Sequence, residues 1–112
     1  MEVKSVSKNT GISARKMRVI VDLVRGKSVN DALTILKFTP SPHARLVAKV
    51  VKAAASDAEN VHNLTIDDLK VVKIHADVAA TLRRYRARSR GRASSIHRRS
   101  SHITVVVGEQ EG

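Results

Sequence analysis

Cysteine and tryptophan are absent from the 112 residues, and the aromatic side chains are reduced to Phe38 and Tyr85. Without cysteine there is no disulfide framework, no thiolate metal site and no thiol nucleophile, which fits a reducing compartment. No apolar run approaches the roughly 20 residues that cross a bilayer, so no membrane partner is expected. The opening Met1-Glu2-Val3-Lys4 starts no secretory leader, and a cytoplasmic location is expected. The five histidines (His43, His62, His75, His97, His102) are scattered, with no His-Glu-x-x-His and no paired metal spacing. Asp67-Asp68 has no third acid nearby to complete a Mg²⁺ site and reads as a turn. A glycine-rich phosphate loop is also missing. Together these absences argue against an enzyme and predict no metal and no cofactor.

One further absence is local. Residues 78–108 contain eight arginines and not one Asp or Glu, while residues 1–77 hold 13 Lys/Arg against 8 Asp/Glu. The whole chain carries a formal charge of +11. Eight of its twelve arginines lie within Arg83–Arg99, a stretch without lysine. Solubility alone does not require arginine. Guanidinium offers a planar fork that grips phosphate through two hydrogen bonds and stacks on bases. A polyanion, and nucleic acid above all, is the expected partner. With 42% hydrophobic residues, the chain is too apolar to be a disordered basic tail.

Periodicity supplies the architecture. Met1–Asn9 alternates weakly and reads as a short strand. Ser13 is placed to cap a helix over about 13–25, with Met17, Ile20, Val21 and Val24 on one face and Gly26 as a left-handed stop. Ser28 with Asp31 three residues on resembles a capping box for a second helix that ends before Thr39-Pro40. Its apolar face is Val29, Ala32, Leu33 and Leu36, and Phe38 is assigned to the core. Ser41-Pro42 opens a third helix to about residue 61, about 30 Å long, burying Val47, Val50, Val51, Ala54 and Ala58. From Leu69 the period becomes two. Val72, Ile74, Ala76 and Val78 share one face, with Val71, Lys73, His75 and Asp77 on the other. Ile103, Val105 and Val107 mark a final strand.

Between these strands, residues 79–102 are too poor in apolar groups to form a core. Two strands that continue outward as one hairpin account for them, with arms reaching about 35–40 Å and a turn near Arg86–Gly91. The expected fold is α+β, a single domain. A body of three helices on a short antiparallel sheet (1–78 and 103–108) carries a long protruding β-hairpin (79–102), and a short acidic tail follows (109–112). An isolated ribbon loaded with like charges is a poor free-standing structure, and surrounding nucleic acid would neutralise and pack it. A folded RNA with crevices suits such an arm better than the outside of a DNA duplex, and no helix-turn-helix with a polar recognition face is evident. Tyr85, flanked by Arg84 and Arg86, either stacks on a base or packs locally. His97 and His102 either reach RNA or lie on a plain strand surface.

The residues also carry a resemblance. Arg90-Gly91-Arg92-Ala93-Ser94-Ser95-Ile96-His97-Arg98-Arg99-Ser100-Ser101-His102-Ile103-Thr104-Val105-Val106-Val107 is similar to the carboxy-terminal signature of the twenty-second large-subunit ribosomal protein family. Ile12-Ser13, Arg15-Lys16, Asp22-Leu23-Val24-Arg25-Gly26-Lys27, Phe38-Thr39-Pro40 and Ala58-Glu59-Asn60 match in the same order, so the resemblance spans nearly the whole chain. It implies a structural constituent of the large ribosomal subunit that binds its ribosomal RNA early in assembly. The body would sit on the subunit surface beside neighbouring ribosomal proteins, near the exit of the nascent-peptide tunnel, with the hairpin tip lining a constriction. By that resemblance Arg83, Arg84, Arg86, Arg88, Arg90 and Arg92 lie around the hairpin tip and Arg98 and Arg99 on the returning strand. Arg15, Lys16 and Arg18 add surface contacts from the first helix. Family prolines are replaced here by Ala14, Ala79-Ala80 and Ala87. The partners so implied are large-subunit ribosomal RNA, adjoining ribosomal proteins and the nascent peptide, with no homo-oligomer. A non-ribosomal RNA chaperone or architectural nucleic-acid-binding protein is the alternative.

Overall fold

A computed structural model describes residues 2–8, 10–79 and 99–109 in full and the backbone alone of residues 82–87 and 93–98. The elements run β1 (Glu2–Ser7), α1 (Ala14–Val24), α2 (Val29–Phe38), α3 (Pro42–His62), a 3₁₀ turn (Ile66–Asp68), β2 (Leu69–Val78), β3 (Leu82–Ala87), β4 (Ala93–Arg98) and β5 (Ser101–Glu109). The fold is α+β, as the periodicity predicts. Asp67 and Asp68 lie in the 3₁₀ turn, where the Asp67 carboxylate accepts from Asn30 Nδ2 at 2.9 Å.

Local chemistry sets the helix ends. The Ser28 hydroxyl accepts from the Asp31 N–H at 3.2 Å, half of the expected capping box. Ser41 accepts from the His43 N–H with Pro42 at the first helical position, and Asn63 closes α3 in a left-handed conformation. Gly26, at φ +77°, turns the chain out of α1 and places its N–H on Val71 O at 3.1 Å. A Cβ there would meet nothing within 4 Å, so backbone conformation, not space, requires glycine. Ser13 is different. It stands at the N-cap position of α1, but its hydroxyl makes no cap bond.

Three strands form an antiparallel sheet in the order β1-β5-β2. The last strand in sequence is therefore the central one, paired along Val3↔Val107 and Ser5↔Val105 on one side and Ile74↔Val105 and Ala76↔Ile103 on the other. The helices cover one face of the sheet, and the core lies between the two layers. Met17, Val21 and Val24 of α1, Val29 and Ala32 of α2, and Val47, Val51 and Ala54 of α3 are wholly buried there with Val71, Ile103, Val105 and Val107.

Two side-chain assignments made from the sequence are corrected. The ladder between β2 and β5 steps from Val71↔Val107 to Lys73↔Val106, a β-bulge at Val72. The extra residue reverses the phase of the strand. Val71, not Val72, therefore joins Ile74 and Ala76 in the core. Phe38 is also not in the core. It is 76% exposed. About 200° around the helix from buried Leu36, it leaves the apolar stripe and lies near the Lys37 ammonium, 5.9 Å from its ring centre.

Beyond β2 and β5 the Ala79 N–H donates to Ser100 O at 3.1 Å, and a second antiparallel ladder follows between β3 and β4, from Leu82↔Arg98 to Ala87↔Ala93. This is the protruding hairpin. The molecule measures 66 × 27 × 18 Å, with a radius of gyration of 17.2 Å. A compact chain of this length would have about 13 Å.

Candidate nucleic-acid interface

The arginines expected to meet RNA fall into two groups. Arg83, Arg84, Tyr85 and Arg86 occupy successive positions of β3, opposite His97, Ile96, Ser95 and Ser94 of β4, and Arg98 opposes Leu82. The ladder thus brings Arg83, Arg84, Tyr85, Arg86, His97 and Arg98 onto one two-stranded ribbon. Arg88, Arg90 and Arg92, and the expected turn beyond Arg86 with Gly91, lie outside the described residues, as do the last three residues of the acidic tail.

The second group is at the ribbon's root. Arg15, Lys16 and Arg18 are exposed on α1. Arg99, expected on the returning strand, sits instead in the two-residue step between β4 and β5. Arg15, Arg18 and Arg99 line one cavity of about 280 Å³, together with Ser13, Ala14, Val78 and Ser100. Lys16 is not part of it. The α1 side of the cavity and Val78 of β2 belong to the body, and Arg99 and Ser100 belong to the base of the hairpin.

Arg18 is held in place by its Nε, which donates to Ala76 O at 3.2 Å. About two helical turns further on, Arg25 Nη2 donates to Ile74 O at 3.0 Å while Nη1 pairs with Asp22 at 2.6 Å. Both carbonyls belong to β2, an edge strand. Nearer its start, Val71 exchanges backbone bonds with the turn after α1, accepting from Gly26 N and donating to Lys27 O. The outer edge of β2 is therefore occupied by its own chain, which blocks pairing with another strand. Arg25 was not singled out by the sequence reading. Its spacing of seven from Arg18 on the α1 wheel is the signal that would have found it.

A polar knot anchors the hairpin's root. Ser101 is wholly buried. Its hydroxyl donates to Ile12 O at 2.7 Å and lies 2.9 Å from the Thr10 hydroxyl. The Thr10 N–H donates to Ser101 O at 3.0 Å, and the Gly11 N–H to Ser100 Oγ at 2.9 Å. Gly11, at φ +78°, lets the loop turn back against the two serines. In sequence this loop is only the turn signal Thr10-Gly11, and nothing in it marks a tie to residues some 90 positions away.

Among the described residues no group of three or more His, Cys, Asp or Glu is arranged to hold a metal ion, and no helix is long and apolar enough to cross a membrane. Acid meets base among them at Asp22–Arg25 and in a 3.4 Å pair between His75 and Asp77. Arg15, Arg18 and Arg99 thus have no carboxylate partner among the described residues.

Comparison with known proteins agrees with the resemblance seen in the signature residues. The sequence profile of the ribosomal protein L22p/L17e family matches residues 5–108. The large ribosomal subunit protein uL22 of Dehalococcoides mccartyi is 54% identical over 109 residues, covering 97% of this chain and 100% of that protein. The proteins of the same name from Pediococcus pentosaceus and Halothermothrix orenii are 49% and 44% identical. They cover 97% and 99% of this chain and 93% and 98% of their own lengths. By profile, by identity and by coverage, the chain belongs to the ribosomal protein L22p/L17e family.

Proposed function

We propose that this protein is a structural constituent of the large ribosomal subunit that binds large-subunit ribosomal RNA. Its hairpin enters the RNA, and the tip lines the nascent-peptide exit tunnel. The observation that carries the reading is a separate two-stranded ribbon, in a molecule 66 Å long, within a stretch of eight arginines and no acid. Such a ribbon has no core of its own, and phosphate is the counter-charge its guanidinium groups fit. Membership of the L22p/L17e family supports the ribosomal setting over a free RNA chaperone, and a structural over a catalytic part.

In this reading the labour is divided within one domain. The body seats on the surface of the subunit, in contact with neighbouring ribosomal proteins. The hairpin places Arg83, Arg84, Arg86, Arg88, Arg90, Arg92 and Arg98 against RNA phosphates, with Tyr85 and His97 available to bases. Arg15, Lys16, Arg18 and Arg99 extend the contact to the root. The nascent peptide meets the tip, and the protein resides in cytoplasmic ribosomes.

Binding of the full chain to large-subunit ribosomal RNA, measured across a salt series, tests the reading. Each neutralised phosphate contributes roughly 0.7–0.9 to the slope of log affinity against log salt. Replacing Arg88, Arg90 and Arg92 together with Gln should lower that slope by about 2–3 units. An unchanged slope would remove those side chains from the phosphate contacts. A slope near zero for the wild-type chain would remove RNA as the partner. For the tunnel role, a photo-crosslinker at position 90 should label nascent chains stalled in ribosomes. Labelling of RNA alone would confine the tip to a binding role.

A further inference from the structure

We infer that the cavity at the root of the hairpin is a seat for a single phosphodiester group of RNA, and that filling it fixes the angle at which the hairpin leaves the body. The inference rests on the RNA-binding reading above and assigns it a specific contact with a mechanical consequence.

The geometry is that of a clamp with one cationic jaw on each side. Arg15 and Arg18 come from α1, and Arg99 comes from the step between β4 and β5. Ser13 and Ser100 add hydroxyls to the lining, and among the described residues no acid lines the cavity. The carboxylate nearest in sequence, Asp77, is not among the lining residues and lies 3.4 Å from His75. Arg18 is already oriented through its Nε on Ala76 O, which leaves its two terminal nitrogens for a ligand. The Ser13 hydroxyl is not spent on an α1 cap.

Like charges facing one another across a cavity repel, so the empty seat favours separation of its two sides. An anion between them reverses the sign of that interaction and draws Arg99 toward α1. Arg99 is the residue through which the hairpin's returning arm enters β5. A bridging phosphate there acts on the whole ribbon, whereas a phosphate bound further out does not touch the body. A volume of about 280 Å³ is enough for a phosphate group with ordered water.

The test uses the full-length chain. The probes are inorganic phosphate and the dinucleoside monophosphate UpU, titrated separately and followed by amide chemical shifts. Both should perturb Arg15, Arg18, Arg99 and Ser100 in one saturable process, with a dissociation constant on the order of millimolar. Arg15→Gln or Arg99→Gln should weaken it about fivefold, the loss of one charge-assisted contact. The cysteine-free chain accepts paired spin labels at Lys49→Cys on α3 and Ser94→Cys on β4. Their distance distribution should narrow with phosphate and with ribosomal RNA, and Arg99→Gln should remove the narrowing by phosphate.

Shifts spread evenly over all basic residues, or a distribution unchanged by phosphate, overturn the inference. Both are read on the wild-type sequence or its labelled form, so a poorly folding variant does not decide the result. Saturation by inorganic phosphate without UpU would also overturn it, because the seat would then exclude a diester. Steep salt-dependent binding of ribosomal RNA alongside any of these failures leaves the proposed function standing. Absence of RNA binding removes both.

Discussion

Replacing Ser101 with alanine should destabilise the body far more than replacing its neighbour Ser100, although both are serines at the root of the hairpin. Ser101 is wholly buried and its hydroxyl has two partners, Ile12 O and the Thr10 hydroxyl. Each buried hydrogen bond is worth about 1 kcal/mol net. The full cost of stranding Ile12 O does not arise, because the Thr10 hydroxyl lies 3.2 Å from the same carbonyl and can donate to it. The expected loss for Ser101→Ala is therefore about 2 kcal/mol. At a urea dependence of about 1.5 kcal/mol/M, that moves the unfolding midpoint down by roughly 1.3 M. The Ser100 hydroxyl accepts one solvent-accessible bond from the Gly11 N–H. Its loss should cost about 0.5 kcal/mol, a shift of roughly 0.3 M. Equilibrium urea unfolding followed by far-ultraviolet circular dichroism reads both variants, and amide exchange at Gly11 and Ile12 reports the loop directly. Equal shifts, or a Ser101→Ala shift below about 0.3 M, would refute the claim that this polar knot fastens the hairpin's root.

The β-bulge makes a sharper contrast on one strand. Val71→Ala should cost about 2 kcal/mol from two buried methyl groups and the space they leave, whereas Val72→Ala should cost under about 1 kcal/mol. A strand without a bulge would give the reverse order in the same urea measurement. Phe38→Ala should change stability by no more than about 0.5 kcal/mol, as expected of an exposed side chain. A loss near 3 kcal/mol would return Phe38 to the core.

The helices were legible because their signals are local. Ser28 and Ser41 stand where they cap, Gly26 where the chain must turn left-handed, and the apolar spacing of Met17 to Val24 and Val47 to Ala58 marks the faces that are buried. The strand phase was not legible. A bulge at Val72 places no glycine or proline in the sequence, and it arises from pairing with a strand more than thirty residues away. Phe38 misled because hydrophobicity alone does not fix the side of a helix on which a residue falls, and two positions on from Leu36 it lies off the apolar stripe. The concentration of arginine in Arg83–Arg99 was plain in the sequence. That Arg99 meets Arg15 and Arg18 across one cavity was not, because it depends on how α1 lies against the end of β2.

The strand order has a mechanical consequence. The hairpin's returning arm runs into β5, the strand flanked on both sides, while the outgoing arm leaves from β2 at the sheet's edge. A pull along the ribbon's axis would load β5 in shear, and its bonds to β1 and β2 would resist together instead of opening one at a time. The projecting finger is thus rooted in the part of the body hardest to extract. A force at its far end would reach the helices through the central strand before it could peel the sheet apart.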